Sequence, residues 1–253
     1  ARKVLDYARI DRMNLAGDGK NTWEQTVVPV KWKGLDVPVR GPMLPLAGNV
    51  KTLYDSTALM AGLPGPPPAV GSAECNQALA EVRKIADNRT REQWRISDFW
   101  ADGGGTPTPP GHWNQIAADL IRKGNYSELR TARTLALMNR ALFDAAICCW
   151  RTKYTYYLPR PSQMDPKIKT ATGIPNFPSY TSGHATFSGA AATVLGYIFP
   201  QNGENLKKQA EEAAMSRLYG GIHYRFDNDA GLVCGQNIGK EAIKWGRTDG
   251  SPQ

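Results

Sequence analysis

The sequence has few cysteines and no long apolar run. Its four cysteines are too few and too irregularly spaced for a disulfide framework, and no CxxC pair indicates a zinc site. A single long-range disulfide among Cys75, Cys148, Cys149 and Cys234 stays open. No apolar stretch reaches the roughly 18–20 residues of a membrane-spanning helix, so we expect a soluble protein without a membrane span.

Clustered positive charge is also absent, although the chain is basic overall. The formal net charge is +8 and the pI is about 9.3, yet no run of five or more basic residues and no RNA- or DNA-reading motif occurs. We therefore expect no nucleic-acid partner. The charge balance fits an anionic cofactor or substrate held in a positive pocket.

Periodic patterns are weak at the start of the chain and strong after it. Glycine and proline clusters make residues 1–75 an irregular N-terminal arm or connection, and residues 76–253 are expected to form a helical-bundle catalytic domain. Apolar residues at three-and-four spacing predict a mainly α fold. The expected helices cover about 76–94, 112–123, 127–156, 185–199, 203–219 and 227–245.

Three segments carry residues that suit an oxyanion site. In KYTYYLPRP, Lys153 and Arg160 are seven residues apart and project to similar sides of a helix or its exit. In FPSYTSGHATF, Ser182, Gly183 and His184 precede a helix, where free backbone N–H groups and the helix dipole favour an anion. The alternatives are two cations placed at a helix end by its dipole, and an ordinary serine N-cap with an incidental histidine.

The third segment is SRLYGGIHYRFD, which runs from Ser216 to Asp227. Arg217 falls on an otherwise apolar helix face, and a buried guanidinium needs an anionic partner. A glycine pair then breaks the helix and returns His223 toward it, while Asp227 lies four residues on and can orient the imidazole or pair with Arg217. Taken alone, His223 also fits a hydrogen-bonded core histidine.

Together the segments match the signature K-x6-RP, PSxxSGH and SR-x5-H-x3-D at all twelve specified positions, in order and spacing. This pattern resembles the superfamily that joins vanadium-dependent haloperoxidases with type-2 phosphatidic acid phosphatases and bacterial acid phosphatases. The resemblance extends from about Phe99 to Trp245. It implies the helical bundle of that superfamily and a site for vanadate, with phosphate able to occupy the same place.

The resemblance also implies roles for individual residues. His223 would be the axial group, either coordinating vanadium or attacking phosphorus as a nucleophile, and His184 would manage a proton opposite it. Lys153 would in addition polarise the peroxide oxygen that halide attacks. The groups that would hold the oxyanion are Lys153, Arg160, Ser182, the Gly183 N–H and Arg217.

Three features favour the haloperoxidase branch. HYRFD and the loop WADGGGTPTPPGHW are similar to haloperoxidase stretches, and Phe177 is a halide-pocket candidate because chloroperoxidases of this group carry phenylalanine there. The expected reaction is oxidation of chloride or bromide by hydrogen peroxide to hypohalous acid, which acts on a small organic substrate. The alternatives are an acid phosphatase-type hydrolase with a phosphohistidine intermediate and a non-enzymatic phosphate-binding protein.

Two departures from the family bear on organisation. The interval from His184 to Arg217 is short, closer to the compact phosphatase spacing than to that of the fungal haloperoxidases. The N-terminal helical half usual in the haloperoxidase branch is expected to be missing. We therefore expect the C-terminal part of a longer protein, completed by another chain or by a homo-oligomer partner. The start at Ala1 without methionine fits a processed or truncated N-terminus, and family habit implies a secreted or periplasmic location.

Two further residues receive weaker interpretations. His112, the third histidine, lies in the sequence PPGHW and is interpreted as a structural loop residue rather than a support for the site. Asp144 lies on the same predicted helix as Lys153 and is a candidate partner for one of the arginines.

Overall fold

The structure is a computed structural model that describes residues 2–17, 31–34 and 41–251. The described residues form helices and connecting segments and contain no β-strand, which confirms the mainly α prediction. The helices are α1 (Arg2–Ala8), α2 (Ser56–Ala61), α3 (Ala73–Asp87), α4 (Arg91–Phe99), α5 (Thr108–Lys123), α6 (Glu128–Tyr156), α7 (Pro161–Met164), α8 (Gly183–Ile198), α9 (Gly203–Tyr219) and α10 (Arg225–Gly246), with 3-10 turns at Met13–Leu15, Ala47–Asn49 and Pro200–Asn202.

Within those ranges, no helix combines the length and apolar character that a membrane crossing requires. Most predicted helix ends lie within a few residues of the observed ones. Ser127 caps α6 by accepting a hydrogen bond from the Arg130 N–H, and Tyr157 ends it in the left-handed conformation. The helix predicted over 76–94 is two helices, because Thr90 forms a capping box that starts α4.

Helix α8 is the central element of the bundle and packs against α6, α9 and α10. Its residues are mostly small or apolar and are buried on every side of the helix rather than on one stripe. Gly235 of α10 lies so close to α8 that a Cβ built on it would be 2.1 Å from the Thr186 carbonyl oxygen. This contact sets how near the first turn of α8 and the middle of α10 can approach.

The N-terminal residues are attached to α6 by a buried carboxylate. Asp144 accepts hydrogen bonds from the backbone N–H groups of Leu53 at 2.7 Å and Tyr54 at 2.9 Å. The interpretation of Asp144 as partner of a site arginine is therefore wrong, since its oxygens bind the backbone of the chain that crosses α6. The division into an arm over 1–75 and a domain over 76–253 stays a prediction.

All four cysteines are free and buried. Burial raises the pKa of the Cys148 thiol to about 12. The Cys149 Sγ lies 3.6 Å from the Thr181 carbonyl oxygen. These thiols therefore act as small core side chains at neutral pH.

The close approach of α8 and α10 predicts a large effect of Gly235→Ala. The added methyl group forces the two helices apart, and we expect a loss of about 3 kcal/mol in the free energy of unfolding. Urea denaturation measures it. Gly203→Ala is the control: its Cβ meets nothing within 4 Å at the start of α9, so the change should stay within about 1 kcal/mol. Equal effects of the two substitutions would contradict this description of the α8–α10 contact.

Candidate active site

The ends of five helices converge on one buried region. Lys153 lies in the last turn of α6, Arg160 caps α7, and Arg217 lies in the last turn of α9. The turn between α9 and α10 carries His223, and Asp227 lies in the first turn of α10. The start of α8 supplies Ser182, Gly183 and His184.

His223 is held by the first turn of α10. Its Nδ1 lies 2.8 Å from Asp227 Oδ2, and this same oxygen accepts hydrogen bonds from Ser179 Oγ at 2.5 Å and from the Tyr224 N–H at 3.2 Å. Since Nδ1 donates to the carboxylate, Nε2 carries the lone pair. The sequence left open whether Asp227 orients the His223 imidazole or pairs with Arg217. In the structure Asp227 contacts His223.

Arg160 and Lys153 are fixed mainly by backbone carbonyl groups. Arg160 donates through Nε and Nη2 to the Phe177 carbonyl oxygen, and through Nη1 to the Ile222 carbonyl and to His223 Nε2 at 2.9 Å. Lys153 Nζ donates to three carbonyl oxygens, those of Pro178 at 2.8 Å, Ser179 at 3.0 Å and Thr181 at 2.5 Å. Both cations therefore have fixed positions beside His223.

Arg217 completes a cluster of buried positive charge. It donates to Ser216 Oγ at 2.8 Å and to the Ser97 carbonyl oxygen at 3.1 Å. Lys153, Arg160 and Arg217 are all at most 1% exposed. Within the described part of the chain, no carboxylate lies within 4 Å of any of the three, although a buried charge without a counter-ion is strongly unfavourable.

Burial lowers the pKa of each basic group in the site. It lowers the pKa of Arg160 and of Arg217 to about 10 and that of Lys153 to about 7. The pKa of His223 falls well below its ordinary value through burial and through the charges of Arg160 and Lys153. His223 is therefore neutral at physiological pH, the form in which Nε2 can act as a ligand or a nucleophile.

Ser182 and Gly183 lie where α8 begins. Ser182 caps the helix by accepting from the Ala185 N–H at 3.4 Å, and its own N–H donates to the Asp227 carbonyl oxygen at 2.9 Å. A Cβ on Gly183 would make only ordinary contacts at 3.9 Å, to Phe187 and Trp150. Packing therefore does not require glycine at this position.

Phe177 lies against the cations rather than in open space. Lys153 Nζ is 4.7 Å from its ring centroid and the Arg160 guanidinium carbon is 5.1 Å away. The Trp150 ring packs on it with centroids 5.0 Å apart. The structure thus places the halide-pocket candidate as one wall of the cation cluster.

His184 faces a carboxylate that sequence reasoning missed. Its Nε2 lies 3.6 Å from Asp102 Oδ2, just beyond hydrogen-bond distance, and has no hydrogen-bond partner among the described residues. Burial and the charge of Arg217 lower the pKa of His184 to about 4, against the opposing effect of Asp102. The signal in the sequence was an aspartate in a glycine- and proline-rich loop ten residues before a histidine.

That histidine, His112, is not merely a loop residue. Its Nδ1 lies 3.1 Å from both carboxylate oxygens of Asp102, so Asp102 stands between His112 and His184. The interpretation of His112 as a structural loop residue is wrong in its placement, because His112 lies in α5. Asp102 and His112 are ten positions apart along the chain, in a loop and a helix. Sequence periodicity does not predict that their side chains meet.

The donor set suits an oxyanion rather than a bare cation. Across the described residues, no group of three or more histidine, cysteine, aspartate or glutamate side chains could enclose a metal ion. Three buried cations without a contacting carboxylate, a neutral histidine nitrogen and a helix N-terminus instead fit a tetrahedral anion such as vanadate or phosphate. The unpartnered His184 Nε2 adds a group able to exchange a proton.

Comparison with known proteins gives relatives of two enzyme classes. Residues 134–250 match the PAP2 superfamily. A vanadium-dependent bromoperoxidase of Ascophyllum nodosum is 35% identical over an alignment of 113 residues, which covers 33% of this chain and 19% of that protein. A non-specific acid phosphatase of Providencia stuartii is 27% identical over 186 residues, 71% of this chain and 70% of that protein. The chain thus spans about a fifth of the length of the algal enzyme.

Solved structures give the same fold. A bacterial vanadium-dependent iodoperoxidase superposes with a TM-score of 0.81 at 27% identity, covering 95% of this chain and 66% of that one. A holo-type bacterial vanadium-dependent chloroperoxidase superposes with a TM-score of 0.76 at 13% identity, covering 98% of this chain and 71% of that one. At 13% identity, the second likeness concerns the fold alone.

The buried cation cluster predicts stabilisation by oxyanions. Phosphate or vanadate at about 100 times its dissociation constant should raise the melting temperature by about 5–10 °C, because the anion binds the folded state. Arg217→Met should abolish most of this shift. Arg122→Met is the matched control, since the Arg122 side chain is 68% exposed, and it should retain the shift. Thermal unfolding with and without anion measures both, and a full shift in Arg217→Met would contradict the site.

The lowered pKa of Lys153 predicts a pH dependence of stability. Between about pH 7 and about 10.5 the unfolded chain binds a proton that the folded chain does not, so the free energy of unfolding should rise with pH in anion-free buffer. Urea denaturation at several pH values measures the slope. Lys153→Met should remove it and the exposed control Lys123→Met should keep it. A slope that survives Lys153→Met would assign it to another group.

Proposed function

We propose that this chain, which carries a PAP2 superfamily domain in residues 134–250, is a vanadate-dependent haloperoxidase that oxidises halide with hydrogen peroxide. The observation that supports this most directly is the group of three buried cations beside the neutral His223. Among the described residues, no carboxylate contacts any of these three cations. The likeness to a bacterial vanadium-dependent iodoperoxidase over 95% of this chain favours the haloperoxidase branch.

The residues of the chain divide the work of holding the anion. Lys153, Arg160 and Arg217 would balance the charge of vanadate, and His223 would offer Nε2 to vanadium while Asp227 holds the proton on Nδ1. Arg160 Nη1 now donates to that Nε2, so a ligand of His223 has to displace it. Bound vanadate would supply a Lewis acid that activates hydrogen peroxide toward halide without a change in oxidation state.

His184 is the residue placed to exchange a proton with the anion-bound reactants. Among the described residues its Nε2 has no hydrogen-bond partner, and its ring is 14% exposed, so the ring has a hydrogen-bonding group left for a ligand. Since its pKa is lowered to about 4, His184 is uncharged at neutral pH, with a single ring proton, and the other ring nitrogen would act there as a proton acceptor. It can become a proton donor on acidification.

The second candidate function is that of an acid phosphatase. It is favoured by the likeness to the Providencia stuartii acid phosphatase, which extends over about 70% of both chains. His223 Nε2 would attack the phosphorus of a monoester, the P–O bond to the alcohol would break, and His184 would protonate the leaving oxygen. Water would then hydrolyse the phosphohistidine. Since protonated His184 is needed, this activity should rise as the pH falls.

Assays of vanadate-loaded and metal-free protein side by side separate the two functions. We expect peroxide-dependent halogenation of a phenol dye only after loading, with loss of at least about 100-fold in His223→Ala because the nitrogen that would bind vanadium is removed. Chloride, bromide and iodide are each supplied, and phosphate release from an aryl monoester is measured in parallel. Arg122→Met serves as the control because its side chain lies on the surface.

The opposite pattern assigns the chain to the phosphatases. Hydrolysis of the monoester by metal-free protein, its inhibition by vanadate and the absence of halogenation would together contradict the haloperoxidase proposal. Absence of both activities in a protein that still binds phosphate would leave anion binding alone.

A further inference from the structure

The loop between α4 and α5 brings a second histidine–carboxylate pair to the edge of the site. Asp102 is held at 3.1 Å by His112 Nδ1, and its Oδ2 is 3.6 Å from His184 Nε2. The three side chains are between 10% and 17% exposed, so this row lies largely out of water. Asp102 is thus placed between one histidine of the anion site and one outside it.

His112 has a fixed orientation that does not depend on Asp102. Its ring stacks on Trp100 with centroids 4.3 Å apart, and the edge of Phe99 packs on it at 5.0 Å. Trp100 is itself fixed, because it is 1% exposed and donates through Nε1 to Glu212 at 2.9 Å. The donor that meets Asp102 is therefore attached to the bundle core.

Asp102 is the carboxylate that opposes the positive field at His184. Burial and Arg217 lower the pKa of His184, whereas Asp102 and a hydrogen bond to the Trp100 backbone raise it. Burial raises the pKa of Asp102, but the hydrogen bond with His112 and the proximity of His184 together outweigh burial and hold that pKa below its usual range. Asp102 therefore stays ionised. Because burial is unfavourable for a carboxylate, the Asp102 side chain would turn toward solvent if nothing held it.

The position of Asp102 also decides which nitrogen of neutral His184 carries the proton. A carboxylate beside Nε2 favours a proton on that atom, whereas the Trp100 backbone competes for the same single proton. A small displacement of Asp102 thus changes both the basicity and the tautomer of His184.

We propose that His112 is a positioning residue for His184, which it orients by holding the Asp102 carboxylate beside the His184 ring. The inference rests on the proposed function in that His184 is taken to transfer a proton, but it applies equally to halide oxidation and to ester hydrolysis. His112 contributes as a hydrogen-bond donor from Nδ1, and a positive charge on its ring is not needed.

Substitutions at position 112 separate donation from packing. His112→Ala removes the donor and frees Asp102. His112→Asn places an amide N–H near the position of Nδ1 and restores an uncharged donor. Asp102→Asn removes the negative charge itself. Phe99→Leu is the packing control, because Phe99 contacts the His112 ring, is 54% exposed and has no side-chain donor for the Asp102 carboxylate.

Nitrogen-15 NMR of the metal-free protein provides a readout that does not depend on activity. The chain has three histidines, so His184→Gln assigns the His184 ring signals directly. We expect the Nε2-protonated tautomer to dominate in the parent protein, in His112→Asn and in Phe99→Leu. In His112→Ala and Asp102→Asn the proton should be shared between Nε2 and Nδ1.

Kinetics provide the second readout. Whichever activity the parent protein has, we expect kcat to fall about 10–100-fold in His112→Ala and Asp102→Asn, and the acid limb of the pH profile to shift with it. The rate should recover to within about threefold of the parent in His112→Asn. The dissociation constant for phosphate, from thermal shift, should change less than about twofold because the cation cluster is intact.

The outcomes decide the inference in each case. An unchanged His184 tautomer in His112→Ala would overturn the inference, since His112 would then have no effect on His184. A raised pKa of His184 in the same variant would also overturn it, since His112 would then compete with His184 for Asp102. A loss in His112→Asn as large as that in His112→Ala, or a matching loss in Phe99→Leu, would reduce the role of His112 to packing. If the parent protein lacks both activities, the proposed function fails, and the tautomer measurements still decide the role of His112.

Discussion

Buried positive charge at Lys153, Arg160 and Arg217 is the constraint on which the site depends. A cation in a protein interior is tolerated when an anion or several hydrogen-bond acceptors replace its hydration. Here backbone carbonyl groups provide most of that replacement, and no carboxylate of the described chain contacts the three. The fold thus concentrates positive charge in a small volume, and an oxyanion of the kind proposed above would balance it.

The rest of the bundle serves to hold these cations in place. Glycine at position 235 lets α10 approach α8 so closely that the Ser182 N–H reaches the Asp227 carbonyl oxygen at 2.9 Å. That hydrogen bond ties the start of α8, which carries His184, to the start of α10, which orients His223. The relation between the two histidines is therefore a property of helix packing rather than of a flexible loop.

Much of this site follows from the sequence because its residues lie in three short segments with fixed spacing. Lys153, Arg160, Arg217 and His223 meet as the spacing indicated, and Ser182 caps α8 as its position suggested. Asp102 could not be found that way, since its contacts are made across the bundle by a loop without periodicity. Helix ends were predictable where a capping residue marked them, as at Ser127, and the break before α4 was missed although Thr90 marks it.

The surroundings of Lys153 have a consequence for the choice of cation at that position. Its three N–H groups meet three carbonyl oxygens, from Pro178, Ser179 and Thr181, which converge on a single nitrogen. This arrangement matches the tetrahedral geometry of an ammonium group, whereas a planar guanidinium spreads its donors over a fork. With every donor engaged by the peptide backbone, Lys153 would act on a bound anion through its electric field. The attraction between Lys153 and an anion would therefore depend on distance rather than on the direction of the anion's lone pairs. Anions of different shape would then be attracted to a similar extent.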